Sequence, residues 1–149
     1  MKNVLLIILF CSAIACPSQA QQKEPSDKQK KDITALIDKY SLARENKDTV
    51  LLKAILTTDV DQLVSTGEWR NGVQSSVKGM LRSSAATPGT RTLAVEKIKL
   101  ISPSSAIVDC KYEIQNQDGS PRKMWSTFIV VADREIWKIM SIRNMLPTQ

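Results

Sequence analysis

The residues of this 149-residue chain that could do acid–base chemistry are few, because the sequence contains no histidine. Without histidine, Ser-His-Asp and Cys-His nucleophilic catalysis and every histidine-ligated metal site are excluded. Carboxylates, tyrosines and arginines remain as possible catalytic groups. The candidate catalytic residues are therefore Asp61, Tyr112 and Arg143. We expect neither a metal nor a cofactor.

Asp59 and Asp61 are two residues apart, and this spacing places both side chains on one face if the segment is a strand. Two carboxylates held close together raise the pKa of one of them, which makes that group a general base. In the alternative interpretation, Asp59 ends the preceding helix in solvent and only Asp61 points inward. We favour this alternative.

The pair Trp69-Arg70 lies in a turn bounded by Gly67 and Gly72. A tryptophan in such a turn can stack on a ligand, while the neighbouring guanidinium fixes an anionic group. The tryptophan can equally cover the core. The sequence leaves both interpretations open.

Tyr112 belongs to an apolar strand face. It alternates with Val108, Cys110 and Ile114. Tyr112 is a candidate acid, because its phenolic hydroxyl can donate a hydrogen bond. Cys110 is predicted to be a small buried hydrophobe rather than a reactive thiol. Trp125, which alternates with Thr127 and Ile129, is predicted to lie in the core, as is Trp137.

Arg143 is an arginine on a strand face that is predicted to be largely apolar. That face is expected to contain Trp137, Ile139, Ser141 and Arg143. An arginine in such a place needs a partner, and Asp61 is the candidate. The opposite face of the same strand is predicted to contain Ile136, Met140 and Ile142. A sheet that is apolar on both faces predicts a homodimer interface behind the sheet.

The elements that position these residues are predicted from hydrophobic period and turn signals. Strands rich in β-branched and aromatic residues are expected at Thr92–Ile101, Ser105–Gln115, Lys123–Ala132 and Glu135–Met145. Helical spacing predicts three helices, from Asp32 to Glu45, Thr49–Leu56 capped by Asp48, and Val73–Ser83 capped by Asn71. Val60–Thr66 is expected to be a short strand. This order of elements predicts an α+β domain.

The N-terminal segment has the composition of a targeting signal. A basic start, a short apolar run and Ser18-Gln19-Ala20 predict a signal peptide over residues 1–20, cut before Gln21. Alternatively, Ser12–Cys16 resembles a lipobox, in which case Cys16 would carry a lipid anchor. We therefore expect an exported protein, periplasmic or extracellular, with membrane attachment only through Cys16. Residues 21–31 are predicted to be a flexible leader before a domain at 32–146.

The net charge of +6 comes partly from lysines of this leader. A basic chain can bind nucleic acid, but the sequence carries no nucleic-acid motif and its other charges are mixed in sign. We interpret the charge as a solvated surface and expect no nucleic-acid partner. Cys110 is the one cysteine beyond the signal region, so no internal disulfide is expected.

Four stretches of the sequence carry a resemblance to a known family. They are Arg44-Glu45-Asn46-Lys47-Asp48, Thr58-Asp59-Val60-Asp61, Gly67-Glu68-Trp69-Arg70-Asn71-Gly72, and Trp137-Lys138-Ile139 followed by Ile142-Arg143-Asn144-Met145. In order and spacing they resemble the nuclear transport factor 2-like superfamily, which includes SnoaL-like cyclases and ketosteroid isomerase-like proteins. The resemblance implies three helices on a curved, mostly antiparallel sheet that encloses a conical cavity.

The superfamily includes isomerases, cyclases, hydratases, epoxide hydrolases, transport factors and uncharacterised secreted proteins, so the resemblance does not select one function. Its SnoaL-like cyclases commonly use histidine, which this chain lacks. We expect an exported binding domain or dimeric interaction module whose ligand is small and hydrophobic or anionic. The candidate binding residues are Asp61, Trp69, Arg70, Tyr112, Trp125, Arg143 and Asn144.

Two other functions stay open at this point. One is a histidine-free isomerase or hydrolase, with Asp61 as base and Tyr112 or Arg143 as its electrostatic partner. The other is a structural component of an envelope assembly, which would present an exposed apolar sheet face.

Overall fold

The computed structural model of the protein describes residues 24–147. The predicted signal peptide and the alternative lipobox lie outside these residues. Along the described chain the elements are α1 (Asp27–Glu45), α2 (Thr49–Ile55), β1 (Leu56–Leu63), β2 (Trp69–Asn71), α3 (Gly72–Ala86), β3 (Gly89–Ser102), β4 (Ser105–Asn116), β5 (Pro121–Asp133) and β6 (Ile136–Met145). This arrangement confirms the α+β prediction.

The strands form one six-stranded sheet in the order β2-β1-β6-β5-β4-β3. Every neighbouring pair is antiparallel except β1 and β6, which are parallel. The four predicted strands are consecutive neighbours because short turns join them. In the turn between β4 and β5, Gly119 adopts φ +82° and its N–H donates to the Asn116 carbonyl oxygen at 3.0 Å. A positive φ of this kind favours glycine.

Helix α1 begins at Asp27, five residues before the predicted start, so the prediction of a flexible leader is wrong for residues 27–31. The cause is a capping box that the leader itself supplies. The Gln29 N–H donates to the Ser26 hydroxyl at 3.2 Å, and the Ser26 N–H donates to the Gln29 side-chain oxygen at 3.0 Å. The apolar stripe of α1 is buried as predicted. It consists of Ile33, Leu36, Ile37, Tyr40 and Ala43.

The other two helices also differ slightly from expectation. Asp48 caps α2 as predicted, accepting hydrogen bonds from the N–H groups of Val50 and Leu51. Asn71 stands at the N-cap position of α3, but its side chain makes no capping hydrogen bond. Strand β1 starts at Leu56, before the predicted Val60, since the buried Leu56 already pairs with β6. Asp59 is therefore an exposed strand residue rather than the end of a helix.

A β-bulge in β6 reverses the predicted assignment of faces. Ile129 on β5 pairs with Ser141, whereas the next residue, Val130, pairs with Ile139, so Met140 is the extra residue. One inserted residue shifts the two-residue alternation by one and exchanges the faces of all later residues in the strand. The prediction that Arg143 shares a face with Trp137 and Ile139 is therefore wrong. Ile142, predicted on the outer face, lies fully buried in the core.

The core lies between the three helices and the inner face of the sheet. At its centre the Phe128 ring of β5 meets the Tyr40 ring of α1 edge to face, with ring centroids 5.3 Å apart. Phe128 is the largest fully buried side chain among the described residues. Within residues 24–147, no helix combines the length and the apolar character needed to cross a membrane.

Candidate functional site

A cavity of about 320 Å³ lies between the helices, the β1–β2 hairpin and the inner sheet face. Its wall combines apolar and basic residues. The apolar part consists of Val64, Ala86, Tyr112, Ile114 and Met124, and the basic part of Arg44, Arg70, Arg82, Arg91 and Arg122. Among the described residues Glu68 is the one carboxylate of the lining, so five positive charges and one negative charge leave a formal charge of +4.

Arg44, near the end of α1, is the most unusual of these arginines because it is buried, with 7% of its surface exposed. It donates to the Tyr40 hydroxyl at 3.0 Å and to the Ser84 hydroxyl at 3.4 Å. Its Nε has no hydrogen-bond partner, and no carboxylate lies within 4.0 Å of it among residues 24–147. A buried cation without a counter-ion is energetically unfavourable.

Tyr40 does not supply the missing negative charge. Burial raises the pKa of its phenol, although the nearby Arg44 acts in the opposite direction. Tyr40 is therefore protonated at physiological pH and acts as a neutral acceptor. The hydroxyl of Tyr112 on β4 is also close to the Arg44 guanidinium. The arrangement presents the Arg44 cation and the Tyr112 hydroxyl to the cavity, which favours an anion as their ligand.

Arg70, by contrast, has partners for its guanidinium within the described chain. It contacts the Glu68 carboxylate at 3.1 Å, the Gln62 side-chain oxygen at 3.3 Å and the Ser83 hydroxyl at 2.9 Å. The guanidinium lies flat against α3 at Gly79, where a Cβ atom would overlap it. Arg70 is therefore a structural part of the cavity wall, and its place depends on that glycine.

Glu68 is already engaged by two arginines. It pairs with Arg70 and, at 2.5 Å, with Arg82 of α3. Hydrogen bonding from Arg70, with a further contribution from Arg82, lowers the pKa of the Glu68 carboxyl below its ordinary value. A carboxylate with a lowered pKa is a weak base. Among the described residues that line the cavity, none is a free general base.

Arg91 and Arg122 flank Ile114 in one row across the inner sheet face. Arg91 of β3 pairs with Ile114 of β4, which in turn pairs with Arg122 of β5. Arg91 is 9% exposed and donates to the Gly89 carbonyl oxygen at 2.9 Å, while its Nε has no partner among the described residues. Arg122 donates to the Ser65 hydroxyl at 3.0 Å. Neither pairs with a carboxylate in residues 24–147.

The structure divides the predicted binding residues between the two faces of the sheet. Arg70, Tyr112 and Asn144 line the cavity. The others, on the outer face, are Asp61, Trp69, Trp125 and Arg143. The expectation that Asp61 points inward is wrong, because its buried neighbours Val60 and Gln62 occupy the inner face of β1.

The two tryptophans that were predicted to lie in the core occupy different faces of the sheet. Trp137 lies in the core with 9% of its surface exposed, which confirms its prediction. Trp125 is 40% exposed on the outer face, so its prediction is wrong. Its strand is buried on the face that carries Met124, Ser126 and Phe128, one residue out of phase with Trp125. Cys110 is buried, and burial raises the pKa of its thiol to about 12, as expected for an unreactive cysteine.

Asp61 and Arg143 form the predicted ion pair on the outer face of the sheet. The guanidinium contacts the two carboxylate oxygens at 3.2 and 2.8 Å, and the ring of Trp69 lies 4.7 Å from it. Ser141 donates to the same carboxylate. Asp61 and Tyr112 therefore lie on opposite faces of the sheet. The arrangement of Asp61 as base with Tyr112 as its partner is not assembled.

This ion pair gives a pH-dependent prediction. Hydrogen bonding from Arg143 holds the pKa of the Asp61 carboxyl below its ordinary value of 3.8, although partial burial opposes the effect. The contribution to stability is therefore complete above the ordinary pKa and is lost as the pH falls through the lowered pKa. We expect Arg143→Gln to return the Asp61 pKa to its ordinary range, as measured by carboxyl-carbon NMR titration. An unchanged titration would contradict the pairing.

Most of the cavity's charged residues are not among the binding residues predicted from the sequence. They are Arg44, Glu68, Arg82, Arg91 and Arg122. Two signals could have found some of them. Arg44 follows Tyr40 by four residues, which continues the buried stripe of α1. Arg122 is in phase with Met124 and the buried residues after it, so its side chain belongs to the inner face.

Comparison with known proteins gives fold neighbours only. No family model matches the chain, and no curated protein matches it. A nuclear transport factor 2-like protein of unknown function from Shewanella oneidensis superposes with a TM-score of 0.66 at 17% identity, covering 78% of this chain and 98% of that one. A protein of unknown function with a cystatin-like fold from Nostoc punctiforme gives 0.75 at 11% identity, covering 85% and 97%.

A third solved structure carries both descriptions. It is a nuclear transport factor 2-like protein with a cystatin-like fold from Novosphingobium aromaticivorans, with a TM-score of 0.69, 15% identity and coverage of 80% of this chain and 82% of that one. At these identities the likeness concerns the fold alone. This chain therefore has the cone-shaped nuclear transport factor 2-like fold, as the sequence resemblance implies.

Proposed function

We propose that this protein binds a small molecule through an anionic group held in the cone cavity. The observation that carries the proposal is Arg44, a buried guanidinium without a carboxylate partner among residues 24–147, in a cavity lined by five arginines and one glutamate. A ligand carboxylate would provide the missing counter-ion. The burial of this cation is then explained by binding rather than by stability.

The chemistry of the wall indicates how such a ligand would be held. A carboxylate beside Arg44 can accept from the N–H groups of the guanidinium that face the cavity and from the Tyr112 hydroxyl. Charge-assisted hydrogen bonds of this kind are strong in a site that excludes water. The apolar body of the ligand would pack on Ile114 and Met124.

Binding is favoured over catalysis by the state of the cavity's acid–base groups. Glu68 is held by two arginines, and Asp61 lies on the other face of the sheet. Arg44 and Tyr112 can both donate hydrogen bonds that stabilise negative charge. The residues of the cavity thus support recognition of an anion more directly than proton transfer.

Isothermal titration with octanoate and octanamide tests the proposal. The two probes share a chain length and differ in charge. We expect octanoate to bind at least about 10-fold more tightly, because a hydrogen bond to a charged group contributes about 1.5–3 kcal/mol. Equal affinities, or no binding of octanoate, would contradict the anion site.

Self-association is a second candidate function, and the outer sheet face favours it. Trp69, Trp125 and Met145 are 53%, 40% and 48% exposed there. Trp125 of β5 pairs with Met145 of β6. Arg143 lies between this pair and Trp69, and its guanidinium contacts the Trp69 ring. Tryptophan, methionine and arginine are enriched in protein interfaces. We propose that a second copy of the chain covers this face.

Trp125→Glu tests the dimer. A buried, unpaired carboxylate in the interface should shift the protein to monomers, as measured by light scattering after size-exclusion chromatography. Leu42→Glu is the matched control, because Leu42 is 55% exposed on α1, away from the sheet's outer face. A wild-type monomer, or an equal response to both substitutions, would argue against this interface.

A further inference from the structure

We propose that the ligand of this cavity carries two anionic groups joined by a short apolar segment, as in a linear dicarboxylate. The inference rests on the proposed anion site and specifies the chemical class of its ligand. Its basis is the position of the three cavity arginines that do not pair with Glu68, which are Arg44, Arg91 and Arg122.

The first anionic group belongs beside Arg44. This guanidinium is buried, and its Nε–H has no acceptor among residues 24–147. The hydroxyl groups of Tyr40, Ser84 and Tyr112 surround it. One carboxylate at this position would neutralise Arg44.

The second anionic group belongs above Ile114, between Arg91 and Arg122. The register places Arg91, Ile114 and Arg122 on three adjacent strands in one row. Adjacent strands are about 4.8 Å apart, so the two arginine Cα atoms are about 10 Å apart, and their long side chains can meet over the central residue. Arg91 is nine-tenths buried and its Nε–H also has no acceptor in the described chain.

An apolar surface lies beside the two positions. Tyr112 and Ile114 are two residues apart on β4, which is about 7 Å along the strand. They pack with Met124 and Leu93 in a small cluster of their own beside the main core. An aliphatic or aromatic segment between two carboxylates would lie on this cluster.

The charge balance supports two anionic groups over one. Glu68 pairs with Arg70 and Arg82, and this leaves Arg44, Arg91 and Arg122 without a carboxylate within 4.0 Å in residues 24–147. A dianion would neutralise both regions at once, and linking the groups makes the second contact intramolecular.

Isothermal titration of the purified protein with linear dicarboxylates from succinate to suberate tests the proposal. Each dicarboxylate is compared with the monocarboxylate of the same chain length. We expect one intermediate length to bind about 10-fold or more tightly than its monocarboxylate, with weaker binding on either side of that length. Arg122→Gln should abolish this advantage by weakening dicarboxylate binding far more than monocarboxylate binding.

Two controls keep the result interpretable. Arg122→Lys retains the charge and should keep part of the dicarboxylate advantage, which separates a charge effect from a folding defect. Lys123→Gln removes a neighbouring cation on the outer face, where its side chain is 69% exposed, and should change nothing.

Each contrary result would overturn a different part of the proposal. Equal affinities for dicarboxylates and monocarboxylates would overturn the two-anion proposal while leaving the single anion site intact. A dicarboxylate advantage that persists in Arg122→Gln would overturn the assigned second position. Absence of binding by every carboxylate would overturn the proposed function as well.

Discussion

Replacing Arg44 with methionine is expected to weaken octanoate binding about 10- to 100-fold without reducing the stability of the protein. The loss arises from the removal of charge-assisted hydrogen bonds, which contribute about 1.5–3 kcal/mol each, and every 1.4 kcal/mol is a factor of ten in affinity. Titration calorimetry measures the affinity.

The expected stability of this variant is the more diagnostic result. Arg44 is buried and has no carboxylate partner in the described chain, so its desolvation is only partly compensated. Replacing buried charges with apolar side chains of similar volume is often neutral or stabilising by about 1–4 kcal/mol. We therefore expect a free energy of unfolding, from urea titration, at or above the wild-type value.

Arg143→Met is the matched control, because it removes an arginine from the opposite face of the sheet. Its guanidinium pairs with Asp61 and does not line the cavity. We expect its octanoate affinity to equal that of the wild type. A large loss of stability in Arg44→Met with unchanged affinity would show that Arg44 is a structural residue and would contradict its role in binding.

Phe128→Ala is expected to lower the free energy of unfolding by about 3–5 kcal/mol, the usual range for truncating a buried phenylalanine. Phe128 is fully buried at the centre of the core, and its ring packs edge to face on Tyr40. The substitution removes that contact and leaves a cavity under α1. Urea unfolding monitored by circular dichroism measures the change.

Trp125→Ala is the control for this substitution. Trp125 lies three residues earlier on the same strand, yet it is 40% exposed on the outer face. Truncating a side chain on that face should change the free energy of unfolding by about 1 kcal/mol or less, if the protein is measured as a monomer. A reversed order of the two effects would show that the core lies on the other face of the sheet.

Most of the fold could be predicted because its signals are local. The last four strands are rich in β-branched and aromatic residues and are separated by turn residues, and their observed bounds lie within three residues of the predicted ones. The start of α1 was missed although Ser26 and Gln29 form a recognisable capping box. The bulge at Met140 had no such signal, because it depends on how β6 meets both β1 and β5.

The site was harder to predict because it is assembled from distant segments. Arg44, Arg70 and Arg122 belong to α1, β2 and β5, and nothing in their local sequence brings them together. The bulge places Arg143 on the outer face of the sheet, the face that also carries Asp61. The pair itself was predictable, since an arginine in a strand needs a partner. Which face the pair occupies depends on the register, and the register is a tertiary property.

The central claim is that Arg44 holds an anion, and NMR of arginine side chains tests it most directly. In a titration with octanoate, the claim predicts a saturable shift of the Arg44 Nε–Hε resonance, because the guanidinium gains a charged acceptor. The Arg143 resonance, on the outer face, should not move. An Arg44 resonance that stays unchanged at saturating octanoate, or a shift at Arg143 alone, would contradict the account.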